Sequence, residues 1–360
     1  MYARAAMLTG PRQVEVRSLP VPDDIGPDEC LLAVEATGMC GTDYEQYVGH
    51  IPIPYPYIAG HEIVGRIARI GEAAAARWKL GEGARVAVES IVACGRCMNC
   101  KTGKPLFCDQ RLIYGLTPAS RAPGLLGGYA EYVVLQANTD VYPLPDHLSP
   151  QDAVLFNPLG SGFDWACRAA GTQVGDTMLI IGPGQRGLCS VLAAKEAGAS
   201  RIIVAGRGRR PWKLDLALEL GATDVINTDA VSLVDAVREM TNGEWIDRVV
   251  DTSPNATTPV LEAIECVRPE GTVVLAGVKE AGGDLGAAAN AIMQKAATVR
   301  GVFSVSDWAK RQAIKSLSAA RYPVHRLHSH TFSIDDLDEA FRVLGAEVEG
   351  NDAMHITVIP

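Results

Sequence analysis

What the chain lacks narrows its function first. No apolar run approaches the roughly 20 residues needed to cross a bilayer. The formal net charge is −9, with neither a large basic patch nor a basic tail, so no nucleic-acid and no membrane-surface partner is expected. The opening MYARAAMLTGPRQVEV is charged and interrupted too early for a signal peptide, so a cytoplasmic location is expected. There is no internal repeat and no low-complexity linker. What remains is a 360-residue chain, 48% hydrophobic and 21% charged, the composition of a globular protein too long for one ordinary core. Its 36 glycines and 21 prolines imply many turns.

The pattern changes along the chain. Up to about residue 155, short strand-like runs such as ECLLAVEATG, EIVGRIARIG, GARVAVES and GGYAEYVVL are broken by glycine and proline, which favours a β-barrel-like domain. From Asp176 onward, TMLIIG, RIIVAG, DRVVDTS and GTVVLAG alternate with longer helix-like segments. That alternation predicts βαβ units, a parallel sheet and an α/β fold. The domains are expected at 1–155, completed by about 300–360, and at 156–299. The terminal run HITVIP reads as a strand that returns to the first domain.

Cys94, Cys97, Cys100 and Cys108 fall within fifteen residues, spaced C-x2-C-x2-C-x7-C. Four thiolates on a short loop suit a closed, structural tetrahedral zinc site. An iron–sulfur cluster is the main competitor, but the bacterial run continues C-x3-C-P, whereas here the fourth cysteine is delayed and followed by Asp109. Disulfides or a knot of free thiols remain as alternatives, although two-residue gaps make poor bridge geometry and a reducing compartment disfavours them.

Gly182, Gly184 and Gly187 form G-x-G-x-x-G between an apolar strand and a helix, the context that makes this motif a dinucleotide site. The glycines permit a tight turn, backbone approach to a pyrophosphate and close helix–strand packing, while helix N-terminal amides donate to the phosphates. Arg186 is unusual inside the motif and could face the pyrophosphate. Cofactor choice turns on the end of the second strand, where an acid would accept from the ribose hydroxyls of NAD. Gly206 stands there, followed by Arg207, Arg209 and Arg210, with no carboxylate until Asp215. NADP is therefore favoured, with NAD as the alternative; a solvated basic loop would read the same way.

GMCGTDY places Cys40 in a glycine-flanked turn, and AGHEIVG places His61 and Glu62 just before a strand. Catalytic zinc keeps three protein ligands and an open position. Alone, Cys40 reads as a buried small hydrophobe and His61 as a structural histidine; a second metal motif and a dinucleotide motif in the same chain raise both to candidates.

Taken together, GMCGTD, GHEIVG, the four-cysteine lobe, GGYAEYVV, GPGQRG and LELGATDVIN resemble, in order and spacing and nearly end to end, the zinc-dependent medium-chain dehydrogenase/reductase superfamily of alcohol and polyol dehydrogenases. The resemblance implies a GroES-like β-barrel catalytic domain, a Rossmann domain with a doubly wound parallel sheet, two zinc ions per chain and a homodimer or homotetramer. By position it implies that Cys40, His61 and Glu62 ligate the catalytic zinc. It also implies that Thr42 relays the substrate proton and that Asp43 supports the ligand sphere. The chain departs from the family at the next expected ligand. Polyol relatives carry Glu-Pro-Leu where Asn157-Pro158-Leu159 stands, and alcohol dehydrogenases place a cysteine near Ser161 and Asp164. The third ligand is expected to be Glu62, then Asn157 through water, then Asp164.

The activity implied is hydride transfer between a nicotinamide cofactor and a small alcohol, ketone or aldehyde. The alternatives are an NAD-dependent polyol or sugar dehydrogenase and a non-catalytic nucleotide-binding protein that keeps only structural zinc. Trp165, Phe303 and Trp308 are candidates for the pocket wall or for packing, and Tyr44 and Tyr57 for substrate contact.

Overall fold

A computed structural model describes residues 1–279 and 286–360, which divide into two compact units, Met1–Phe156 with His328–Pro360, and Asn157–Leu327. In the first unit β1 (Tyr2–Gly10) pairs antiparallel with β2 (Gln13–Pro20). β3 (Cys30–Met39) is the spine of the larger sheet. Successive side chains on a strand point to opposite faces, and β3 uses both. Leu31 and Met39 enter one apolar cluster with Met7, Tyr57, Tyr129 and Phe341, whereas Cys30, Leu32 and Val34 enter another with Ile63, Val86 and Val133. A strand buried on both faces explains why ECLLAVEATG is apolar without strict alternation.

β4 (Tyr57–Ile58) joins β1, and β5 (Glu62–Ile70) runs antiparallel along β3 with Gly38 opposite Glu62. β6 (Arg85–Val88) continues that sheet, while β7 (Ile91–Val92) and β8 (Leu112–Ile113) form a two-stranded ribbon flanking the four-cysteine lobe. β9 (Tyr132–Leu135) pairs with β3 and β10 (Val141–Pro143) with β6.

The second unit is a parallel sheet made of β11 (Thr177–Ile181), β12 (Arg201–Gly206), β13 (Asp224–Asn227), β14 (Ile246–Asp251), β15 (Val267–Leu275) and β16 (Thr298–Gly301). Among the described residues its order is β13-β12-β11-β14-β15-β16, so the direction of winding reverses between β11 and β14. Doubly wound sheets bind ligands at the carboxyl ends of the strands at such a reversal.

The chain then returns to the first unit as β17 (His328–Ser333) and β18 (His355–Ile359), and β18 pairs with both β17 and β3. The sequence placed this return at about residue 300, but the compact second unit extends to Leu327. Residues 298–301 stay with that unit because they extend its sheet alongside β15. Ser306, capping helix Asp307–Ser318, donates its N–H and hydroxyl to Asp164, and Ser316 bonds Glu196. Among the described residues no helix is long and apolar enough to cross a membrane.

Candidate functional site

Two clusters of metal-ligand type occur in the first unit. In the lobe between β7 and β8, the Sγ atoms of Cys97 and Cys100 lie 3.5 Å apart, those of Cys97 and Cys108 3.9 Å, and those of Cys94 and Cys100 4.0 Å. These separations far exceed a disulfide bond of about 2.05 Å. They match the roughly 3.8 Å between sulfurs on tetrahedral zinc, as follows from Zn–S bonds of about 2.3 Å. Backbone N–H groups donate to sulfur within the lobe, from Cys94 and Gln110 to Cys108 Sγ and from Cys97 to Cys94 Sγ. The backbone amides of Arg96 and Cys97 lower the Cys94 thiol to about 6, while burial pushes Cys100 up to about 12.

The second cluster is Cys40, His61 and Glu62, whose ligand atoms lie within 4.8 Å of one another. Cys40 and Glu62 are buried, and the His61 side chain keeps 12% of its surface. Local structure explains the convergence. Cys40 caps the short helix Gly41–Tyr47, and Asp43 in its first turn accepts the Cys40 N–H through Oδ2 at 2.9 Å. The other oxygen of Asp43 lies 3.2 Å from His61 Nδ1, leaving Nε2 aimed at Cys40 Sγ, also at 3.2 Å. One buried carboxylate thus caps the helix and sets the face that the imidazole presents, as partners of metal-binding histidines do.

Gly60 supplies the approach to His61: its φ is +85°, and a Cβ there would lie 2.8 Å from the Tyr129 ring and 3.0 Å from Thr37 Cγ2. Gly38 gives room on the other side, where a Cβ would press on Glu62 and His355. His355 is fully buried, with Nε2 4.0 Å from Glu62 Oε2. Burial works against protonation of His61, but the Cys40 and Asp43 charges outweigh it and raise its pKa well above the ordinary value. Burial, followed by the nearby Asp43, Cys40 and Glu62 charges, raises the Tyr129 phenol and keeps it neutral. Thr42 is half-buried in the same first helical turn. A cysteine, a histidine and a carboxylate form a donor set suited to zinc.

The other candidates have contacts of their own. Asn157 is buried in the second unit, and its Oδ1 accepts from Arg186 Nη2 at 3.3 Å. Asp164 accepts from Ser306, so its carboxylate anchors a helix rather than standing ready for a metal. Trp165 is buried, while Phe303 and Trp308 are 53% and 42% exposed. Tyr57 is fully buried in the core, and the Tyr44 hydroxyl donates to Glu347 near the surface.

In the second unit the glycine motif forms the turn after β11. Gly182 has φ +103°, and a Cβ on Gly187 would overlap the Gly182 carbonyl oxygen. A Cβ on Gly184 would meet nothing within 4 Å. Gly184 caps helix Gln185–Ala197, whose first-turn amides precede the first internal bond, Leu188 N–H to Gly184 O. This is the geometry that receives a pyrophosphate.

Arg186 does not follow the orientation suggested by its place in the motif. Its guanidinium turns back to donate to Ser161 and Asn157, and lies 5.7 Å from the centre of the Trp165 ring. These acceptors and the aromatic face come from helix Phe156–Gly162 and the π-helical segment Phe163–Ala169. The two helices approach so closely that a Cβ on Gly162 would strike the Cys189 carbonyl.

At the end of β12, Gly206 is sterically required, since a Cβ would lie 2.5 Å from the Pro183 ring. Arg207 and Arg209 are exposed and Arg210 is half-buried. Asp229, a residue sequence reasoning missed, accepts the Gly208 N–H at 2.9 Å. It lies just past β13, and only the pairing of β12 with β13 brings it to this loop.

Comparison with known proteins follows this division. Residues 26–146 match the family model for the alcohol dehydrogenase GroES-like domain, and residues 187–319 match that for zinc-binding dehydrogenase. A Mycobacterium tuberculosis protein named "Probable alcohol dehydrogenase adh" is 38% identical over 362 residues, covering 99% of this chain and 98% of that protein. The chain belongs to the zinc-dependent medium-chain dehydrogenase/reductase superfamily. Sorbitol dehydrogenase of Bacillus subtilis is 34% identical, covering 76% of this chain and 75% of that protein. A Sinorhizobium meliloti "putative zinc-binding dehydrogenase" solved bound to NADP superposes with a TM-score of 0.88 at 26% identity, over 100% of both chains. The first unit is accordingly the GroES-like domain of the superfamily, the second its Rossmann domain, and the chain is an enzyme of the dehydrogenase class.

Proposed function

We propose that this dehydrogenase uses NADP and interconverts a small alcohol with its ketone or aldehyde, with Cys40, His61 and Glu62 as the ligands of a catalytic zinc. The observation that carries the reading is the buried Cys40–His61–Glu62 cluster with Asp43 behind His61. A zinc ion held there would supply Lewis-acid polarisation of the substrate oxygen. The dinucleotide supplies the hydride chemistry. The chain's own residues prepare the site. Asp43 holds His61 so that Nε2 faces the cluster, Gly60 and Tyr129 fix the backbone before it, and the Thr42 hydroxyl passes the substrate proton toward solvent. Glu62 is preferred as third ligand over Asn157, whose amide oxygen already accepts from Arg186, and over Asp164, which is bonded to Ser306. The four-cysteine lobe has only thiolate ligands, so its zinc would be structural.

NADP is supported by the absence of room for an acid at Gly206, by Arg207, Arg209 and Arg210 beside it, and by the NADP-bound relative. Similarity to a sorbitol dehydrogenase favours a second reading, an NAD-dependent polyol dehydrogenase. Steady-state rates with matched NADPH and NADH across simple alcohols and polyols test both. The first reading expects a clear preference for NADPH, and a strong preference for NADH with polyols overturns it. Two zinc ions per chain are expected, and activity surviving Cys40→Ser would refute the assigned catalytic centre. A homodimer or homotetramer is expected by light scattering.

A further inference from the structure

Half-buried Lys279 and fully buried Asp251 form an ion pair that the reading above does not use. Asp251 ends β14 with no exposed surface, and Lys279 Nζ lies 2.7 Å from its Oδ2. The other oxygen, Oδ1, accepts the N–H of Ser253 at 2.9 Å and its hydroxyl at 2.5 Å. Lys279 Nζ also donates to the Ser253 hydroxyl and carbonyl oxygens. Backbone bonds tie the same two segments: Ala276 and Gly277 N–H reach Asp251 O, and Asn255 N–H reaches Val278 O. A Cβ on Gly277 would collide with the Ser253 carbonyl. Between these anchors Thr252 touches the glycine turn, its Oγ1 lying 3.0 Å from both the Ile181 and Gly182 carbonyl oxygens.

The sheet order gives this cluster its meaning. A pyrophosphate on the turn after β11 directs the adenosine ribose toward the end of β12. The remaining half of the dinucleotide then runs the other way, over the carboxyl ends of β14 and β15. Those ends are residues 251–255 and 276–279, the segments that Lys279 joins. We propose that Lys279 is a positioning residue for the nicotinamide half of the dinucleotide: by tying Asp251 to Ser253 it sets the floor over which that half lies. The proposal rests on the dinucleotide reading of this unit.

The test compares whole and half ligands on the full-length, zinc-loaded protein. Dissociation constants are measured for NADPH and NADH, and for the adenosine halves 2′,5′-ADP and ADP. Lys279→Met is expected to weaken the preferred dinucleotide about tenfold, as misplacement of a reactant's seat does. The same variant should leave the matching adenosine half within about twofold, and Lys279→Arg should recover most of the loss. Lys279→Met leaves a buried carboxylate without its cation, so Lys279→Met with Asp251→Asn is measured beside it, and thermal unfolding confirms that each variant is folded. The double variant is expected to bind the dinucleotide more weakly than wild type while binding the adenosine half normally. Unchanged dinucleotide affinity in the folded variants, or an equal loss for whole and half ligands, overturns the proposal. Wild type that binds neither dinucleotide overturns the dinucleotide reading itself, which is a separate result.

Discussion

Asp43→Asn separates the two roles of one buried carboxylate. In wild type one oxygen accepts the Cys40 N–H at 2.9 Å and the other faces His61 Nδ1 at 3.2 Å. An amide has one acceptor and one donor end, so it cannot serve both. If its oxygen keeps the Cys40 N–H, its NH2 donates to His61 Nδ1, the ring proton moves to Nε2, and Nε2 loses the lone pair a metal needs. If it turns over, its NH2 confronts the Cys40 N–H. Either arrangement forfeits one contact with the carboxylate charge, the Cys40 N–H bond or the 3.2 Å approach to His61 Nδ1. The loss is of the order of a hydrogen bond to a charged group, about 1.5–3 kcal/mol. That corresponds to roughly ten- to a hundredfold in metal affinity. The assay is zinc release against graded chelator, followed with a metallochromic indicator. The four-cysteine lobe in the same molecule is the internal standard. Wild type should release zinc in two phases, and Asp43→Asn should advance only the phase assigned to Cys40, His61 and Glu62. Unchanged release, or equal advance of both phases, would refute the orientation argument.

Other outcomes follow from the same geometry. Cys94→Ser should remove one zinc per chain and lower the thermal unfolding temperature while Cys40-site zinc persists, as metal analysis and calorimetry would show. Gly60→Ala combines a strained positive φ with contact against the Tyr129 ring and should cost about 2–4 kcal/mol in urea unfolding. Charge reversal at Arg209 should weaken NADPH much more than NADH, whereas equal effects would place the 2′-phosphate elsewhere. His328 has a pKa lowered from 6.5 mainly by burial, with Asp152 acting against the shift and His330 with it. Its contribution is therefore present above pH 6.5 and lost as pH falls through the depressed folded value. His328→Gln should flatten the decline of unfolding temperature as pH falls below 6.5.

The elements legible in the sequence were those with a local cause. TMLIIG and RIIVAG became β11 and β12 because apolar runs between glycine turns and helices have few alternatives, and the four cysteines share one fifteen-residue lobe, whereas Cys40 and His61 meet only through the pairing of β3 with β5. What required the fold was everything set by non-local neighbours. Arg186 follows a turn built for phosphate, yet its direction is decided by acceptors on a helix some 25 residues earlier. Asp229 reaches the β12 loop only through pairing with β13. The absence of an acid at position 206 was visible, but its cause, the Pro183 ring, was not. The return to the first domain was misplaced because TVRG carries too little pattern to reveal that it pairs with β15.

The position of β18 has a consequence for biosynthesis. This strand joins β17 to β3 and brings His355 against Glu62, yet it comprises residues 355–359. A ribosome delivers it after the whole second unit, which therefore has time to fold first. Throughout translation β3 waits with part of one edge open, and the pocket around Glu62 closes only when β18 emerges. Newly made chains that stall or are clipped before residue 355 should carry a folded second unit and an unfinished pocket around Glu62.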